Sequence, residues 1–341
     1  MILRALFCAR FPLTRTFTSL SLLLLGVPSC TSRQQKEESH TKAFGLDFNF
    51  VPKKEFVEEG RSSVAYFKRR SSEKRPLILF LHGLGNEPES LARIFALPRS
   101  FDKHNFVLLI PRGTLGQVQP GSEEQKIFWN ATNECCGMDK PNDDEYLTKL
   151  VKRVTSDPDL KIDPAQVYIF GYSNGAFMAH TLACNHSEMY KGIIAYAGSS
   201  HADESLCQPQ NPVNILHIHG TKDKIVKFDN PSVRPENPTA PWFPPPSDIV
   251  KRWAKRNQCS SQVTSSKVGI MDLNIQPDPS FGQDAGVEVG SKELFNSDKE
   301  TEVEVFQDCK KGKVGFWKVN GGTHFNIFNL GTFDKAFEFV R

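Results

Sequence analysis

An α/β fold with a mostly parallel sheet follows from two patterns: short continuous apolar runs, and helix-like segments that alternate with them. A composition 39% hydrophobic and 24% charged over 341 residues supplies a globular core and excludes a disordered or collagen-like chain. The first run, 76–81, is closed by His82-Gly83 and followed by a helical segment at 89–96. A second run at 106–110 stops at Pro111-Arg112-Gly113, and the spacing of Tyr146, Leu147, Leu150, Val151 and Val154 predicts a helix over 143–154. A third strand is expected at 166–170 and a third helix at 176–184, with strands four and five at 190–197 and 213–218. The run 316–319 and a final helix close the chain. Seven prolines between positions 231 and 246 read as a loop. Residues 269–300, rich in Asp, Gly and Ser, read as a late insertion whose length and polarity would permit a lid.

Charge and the N-terminal segment set the expected location. Three of the 42 basic residues, Arg4, Arg10 and Arg15, fall within the first 29, where there is no acid, so the remainder balances at 39 against 39. A neutral body gives no electrostatic reason to bind nucleic acid or an anionic membrane. The apolar stretch at 20–27 is too short to span a bilayer and ends in small residues, as a signal peptide over 1–29 would. Val27-Pro28-Ser29-Cys30 resembles a lipobox, which would lipidate Cys30 and make that lipid the only membrane contact. Residues 30–55 then form a polar tether, and 56–341 a single domain in the periplasm, at the cell surface or secreted. Six further cysteines, at 135, 136, 184, 207, 259 and 309, suit three disulfides in an oxidising compartment. Of the 15 connectivities, the one expected joins Cys259 to Cys309 across the insertion and sends Cys135 and Cys136 separately to Cys184 and Cys207. Cys-Cys without a CxxC partner lacks metal-ligand spacing.

The chemistry centres on Gly171-Tyr172-Ser173-Asn174-Gly175, a GxSxG between a strand and a helix. A serine on so tight a turn has a strained backbone that lifts its hydroxyl into a cleft, and the glycines remove side chains that would clash there. A serine hydroxyl needs a base and an orienting acid. Asp223, on the loop after strand five, and His324, on Asn320-Gly321-Gly322-Thr323-His324, follow in the chain order of α/β-hydrolases. Asp229 is the fallback acid. The oxyanion donors are expected to be the backbone N–H groups of Asn174 and Leu84, the latter on the His82-Gly83-Leu84-Gly85 loop. His82 shapes that loop, and His217 and His219, alternating along a strand, are expected as hydrogen-bonded core histidines. Neither a metal nor an organic cofactor is required.

Leu81-His82-Gly83, Trp129 with Cys135-Cys136 and Asp143-Asp144, Gly171 to Gly175, His219-Gly220-Thr221 with Asp223, and Gly321 to His324 stand in a familiar order. Over about residues 60 to 341 they resemble the extracellular esterases that include polyhydroxybutyrate depolymerases, feruloyl esterases and acetylxylan esterases. That resemblance implies an α/β-hydrolase fold, a Ser173, Asp223 and His324 triad, and Asp143-Asp144 opening a helix beneath the site. Physically, Asp143 reads as the N-cap of that helix. Thr323 before the histidine and Phe325-Asn326 after it depart from the family pattern and alter the wall beside the base. Trp129, Trp242 and Phe243 either line an aromatic acyl pocket or belong to the core.

A serine carboxylesterase working through an acyl-enzyme is therefore expected, acting on small esters, polyester oligomers or polysaccharide esters. A serine peptidase of the same fold and a non-catalytic surface binding protein are the alternatives, and an intact Ser, Asp and His argues against the second.

Overall fold

The computed structural model describes residues 53–67, 71–118, 123–136, 140–229, 243–272, 299–328 and 331–341. All of them lie in one compact unit, 45–341. The expected signal peptide, Cys30, Trp242 and most of the expected tether and insertion lie outside the described residues. The strands are β1 (Lys53–Glu58), β2 (Arg61–Tyr66), β3 (Arg75–Leu81), β4 (Val107–Pro111), β5 (Thr114–Gln117), β6 (Gln125–Phe128), β7 (Ile162–Tyr172), β8 (Gly192–Tyr196), β9 (Asn214–Gly220), β10 (Val263–Val268), β11 (Met271–Asp272), β12 (Thr301–Phe306), β13 (Val314–Val319) and β14 (Ile327–Phe328). The helices are α1 (Pro88–Ile94), α2 (Phe101–His104), α3 (Asp143–Thr155), α4 (Asn174–Asn185), α5 (Pro246–Arg256) and α6 (Thr332–Val340).

Ten strands form one sheet in the order β1-β2-β4-β3-β7-β8-β9-β13-β12-β10. The central six run parallel, and an antiparallel pair closes each edge. Every residue of β3, β4, β8 and β9 is buried, which is why these strands read as continuous apolar runs. Alternate side chains feed two cores. Leu77, Leu79 and Leu81 of β3 pack in one with residues of α3, α4 and α5, whereas Ile78 and Phe80 pack in the other with Phe95, Phe333 and Phe337.

The antiparallel edges were not visible as strands. In β1 only Phe56 is buried and in β12 only Thr301, so the charged and polar residues between hide them from a search for apolar runs. Helix α5 begins with Pro246 at its first turn, immediately after the proline-rich stretch, and its apolar face of Ile249, Val250 and Trp253 is buried. Residues 53–55, expected in the tether, are strand residues of β1.

Two sequence expectations need correction. Helix α3 is capped by Asn142, whose side chain accepts from Glu145 N–H at 3.2 Å and donates to Glu145 Oε2 at 2.9 Å. Asp143 is thus the first helical residue, not the cap. Of the expected cysteine pairs Cys259–Cys309 forms, but Cys184 pairs with Cys207 and Cys135 with Cys136. Cys135 lies 3.6 Å from Asn174 Nδ2 at the start of α4, whereas Cys184 is in its last turn. Ten residues of helix separate them by roughly 15 Å, beyond the reach of a disulfide.

Candidate active site

The sharp turn between β7 and α4 sets Ser173 at φ 52° and ψ −120°, outside the regions an L-residue prefers. Three contacts hold it there. Ser173 N–H donates to Tyr196 O at 2.8 Å, Ala176 N–H donates back to Ser173 O at 2.8 Å, and the flanking glycines allow close backbone approach. A Cβ on Gly171 would fall on the carbonyl of Gly175, and one on Gly175 on the carbonyl of Leu81. Ser173 is half-buried with its hydroxyl 2.9 Å from His324 Nε2.

His324 stands on the loop after β13, and its other ring nitrogen, Nδ1, lies 2.8 Å from Asp223 Oδ2. The loops bearing the two residues are joined to each other. Lys222 N–H donates to Gly322 O at 2.8 Å, and Gly321 N–H donates to Thr221 Oγ1 at 2.9 Å. Asn326 closes the histidine loop, accepting from Thr323 N–H and donating to Thr323 O, while its own N–H donates to Tyr196 Oη. Phe325 packs against Phe95 and Tyr172. The departures at 323, 325 and 326 therefore build the loop that holds the histidine.

Asp223 is 5% exposed, and its carboxylate meets four donors. Oδ1 accepts from Ile225 and Val226 N–H at 2.8 and 2.9 Å, and Oδ2 faces His324 and His219 Nε2, the latter at 3.1 Å. Burial by itself pushes the carboxyl up, but the charge of His324 and the donors from both histidines outweigh it and hold it well below the usual carboxylate range. Asp229, the fallback acid, is exposed.

The expected oxyanion donors lie on either side of the serine turn. Leu84 is half-buried on the loop after β3, and Asn174 opens α4. Among the described residues neither backbone N–H has a protein acceptor, so both remain available to an oxyanion. The Asn174 side chain does something the sequence did not reveal: Oδ1 accepts from Trp129 N–H at 2.7 Å, and Nδ2 donates to Trp129 O at 2.9 Å. Trp129 then donates its indole N–H to His82 O at 3.0 Å, which ties the Leu84 loop to the serine helix.

Trp129 is fully buried and so is core in this position, not an exposed pocket wall. Its ring lies against His82, with centroids 4.9 Å apart. His82 accepts from Gly113 N–H through Nε2 at 3.0 Å, and burial pushes its pKa down to about 4, so the ring is neutral. Phe243 is partly buried against Phe177, and Trp242 is outside the described residues. Asp143, with no exposed side-chain surface, pairs with Arg61 and accepts from Thr114 Oγ1 at 3.1 Å and from Asn130 N–H at 2.7 Å. It anchors the segment that leads from β6 into Trp129.

The arrangement can deliver a serine oxygen to a carbonyl, take up its proton and stabilise the resulting oxyanion. Comparison with known proteins points to the same chemistry. The model of a phospholipase/carboxylesterase family matches residues 65–233. Acyl-protein thioesterase 1 of Debaryomyces hansenii is 31% identical over 169 residues, 45% of this chain and 71% of that protein. A bifunctional acetylxylan esterase/xylanase of Neocallimastix patriciarum is 25% identical over 171 residues, 50% of this chain and 22% of that one. The chain spans 48% of the length of a further curated relative. The structure of an acetyl xylan esterase from Aspergillus awamori shares the fold at a TM-score of 0.55 and 12% identity, over 84% of this chain and 99% of that one. Polyhydroxybutyrate depolymerases and feruloyl esterases, named by the sequence resemblance, are not among these relatives; acetylxylan esterases are.

Proposed function

Because the chain belongs to the phospholipase/carboxylesterase family, we propose that it is a serine carboxylesterase in which Ser173 is the nucleophile, His324 the general base and Asp223 the orienting acid. The observation that carries this reading is the unbroken Ser173–His324–Asp223 chain at 2.9 and 2.8 Å, set on a strand-to-helix turn. Ser173 Oγ attacks the ester carbonyl as His324 Nε2 takes its proton. The tetrahedral oxyanion is held by Leu84 and Asn174 N–H, each contributing roughly 3 kcal/mol by analogy with other oxyanion donors. Collapse breaks the bond to the alcohol, which leaves with the proton from His324. Water then attacks the acyl-enzyme by the same route in reverse and frees Ser173.

A cavity of about 620 Å³ adjoining Leu84 supports a polar alcohol. Asn86, Glu87, Arg112, Glu124 and Lys126 line it beside Leu84, Leu115 and Ile127, and the five polar side chains suit hydroxyl groups better than a hydrocarbon tail. Acetyl or feruloyl esters of polysaccharide therefore fit better than hydroxybutyrate polyester. The acetylxylan esterase name of one relative favours the same class. Export to the periplasm or cell surface belongs to the proposal and is supported by the pairing of all six later cysteines; lipidation of Cys30 belongs to it as well and rests on the Val27-Pro28-Ser29-Cys30 sequence.

The test is a panel of p-nitrophenyl acetate and butyrate, methyl ferulate, acetylated xylan, hydroxybutyrate oligomers and a palmitoyl thioester. Release of acetate from xylan well above hydrolysis of the oligomers and the thioester is expected. A preference for the thioester would move the substrate to the class named for the yeast relative. Inactivity of the folded protein towards every member would overturn the esterase reading and leave peptidase or binding roles.

A further inference from the structure

Behind the triad lie three buried imidazoles that the proposed chemistry does not use. Trp253 Nε1–H donates to His180 Nδ1 at 3.0 Å. His180 Nε2 is 3.3 Å from His217 Nδ1, and His217 Nε2 is 3.2 Å from His219 Nδ1. His219 Nε2 ends the chain, 2.7 Å from Val226 O and 3.1 Å from Asp223 Oδ2. All three rings have no exposed surface, and Trp253 is 1% exposed.

The direction of this chain is fixed from both ends. An indole N–H can only donate, and a carbonyl or carboxylate oxygen can only accept. With one proton on each neutral ring, every histidine must carry it on Nε2. The opposite set would turn the lone pair of His219 onto two oxygens and set the Trp253 N–H against another N–H. Burial, with Arg256 and His201 beside it, holds His180 down to about 3, and burial with its histidine neighbours keeps His217 well below the usual range, so the interior rings stay neutral.

We propose that His219 is a positioning residue for Asp223, its donor edge fixed by the Trp253–His180–His217 chain. The inference rests on the reading of Asp223 as the acid of the triad. Asp223 sits on a tight turn whose Ile225 and Val226 N–H groups bind Oδ1. His219 grips that turn twice, at the Val226 carbonyl and beside Oδ2. Oδ2 is the oxygen that meets His324, so losing His219 lets the carboxylate rotate away from the base. The orientation matters most when His324 becomes charged, which places the effect on kcat rather than on KM.

The test combines nitrogen NMR of the intact, histidine-labelled protein with steady-state kinetics of His219→Phe and His219→Gln on p-nitrophenyl acetate. The expected spectrum shows protonated Nε2 and bare Nδ1 on His180, His217 and His219. His219→Phe keeps a flat aromatic ring, somewhat larger than imidazole, and removes both nitrogens; kcat should fall by about 10- to 100-fold, the worth of one hydrogen bond to a charged group, with KM changed by less than about 2-fold. His219→Gln carries an acceptor oxygen and a donor nitrogen on one amide and should restore most of the rate. A His219 protonated on Nδ1, a His219→Phe enzyme with wild-type kcat, or a Gln variant as impaired as the Phe variant would each overturn the proposal. If the wild type hydrolyses no ester, the esterase reading fails, while the tautomers still decide the inference: Nε2–H on His219 upholds the orienting chain and Nδ1–H overturns it.

Discussion

Acidification from pH 7 to pH 5 should destabilise this protein steeply, and the buried histidines set the size of the effect. His82, His180 and His217 are wholly buried, and burial lowers each pKa from 6.5, to about 4 for His82, about 3 for His180 and well below the ordinary value for His217. The folded rings stay neutral in this window, while the unfolded chain binds protons as pH falls below 6.5. The stability they contribute is therefore complete above 6.5 and is lost as pH falls towards the folded values. Each pH unit below 6.5 costs about 1.4 kcal/mol per ring, so at pH 5 each has lost about 2 kcal/mol and the three together about 6. That is comparable with the whole stability of an ordinary domain. Asp223 has the opposite origin and a lower window: its depressed pKa stabilises the fold above the unfolded carboxyl value of 3.8, and that contribution is lost only as pH falls further, through the folded value. Urea midpoints measured at intervals from pH 7 to pH 5 read the slope, to which these rings contribute about three protons per molecule with an unchanged m-value, and His104 and His201, whose pKa values burial also lowers, add to it. A midpoint constant over that range, or three imidazoles that titrate near 6.5 in the folded protein, would refute the reasoning.

Two further outcomes follow from the packing. Arg61→Ala leaves the Asp143 carboxylate, which has no exposed surface, without its cation, and should cost about 3–5 kcal/mol, read as a lowered urea midpoint. Gly175→Ala drives a Cβ into the carbonyls of Leu81 and His82 and should abolish soluble folded protein, whereas Gly60→Ala, with open space around it, meets only the strain of φ +75° and should cost about 1 kcal/mol; circular dichroism and thermal melts of the two variants separate these cases.

What could be read in advance depended on whether a feature is local. Strands β3, β4, β8 and β9 were legible because both faces are covered and most of their side chains are apolar, Arg75 of β3 and Asn214, His217 and His219 of β9 being the larger polar exceptions. Ser173 was legible because the glycines that permit its turn are sequence neighbours. Asp223 and His324 needed only their order along the chain and their position after strands, and the structure brings both to Ser173. The Cys259–Cys309 pair was legible from its place on either side of the insertion, but the partners of the other four cysteines were not, since they depend on the length of α4 and on which end each partner meets. Asn174 was read only for its backbone, because nothing near it in sequence announces the Trp129 segment 45 residues away. His217 and His219 showed their alternation, but His180 and Trp253, which give that alternation a direction, come from α4 and α5.

The claim on which the rest depends is that Ser173 is an activated nucleophile. Hydrolysis of p-nitrophenyl acetate by the wild type and by Ser173→Ala, both shown to be folded, tests it most directly. The expected result is a wild-type burst of p-nitrophenol equal to the enzyme concentration and a loss of about 10⁴-fold or more in kcat for the variant. A Ser173→Ala protein that hydrolyses the ester as fast as the wild type would contradict it.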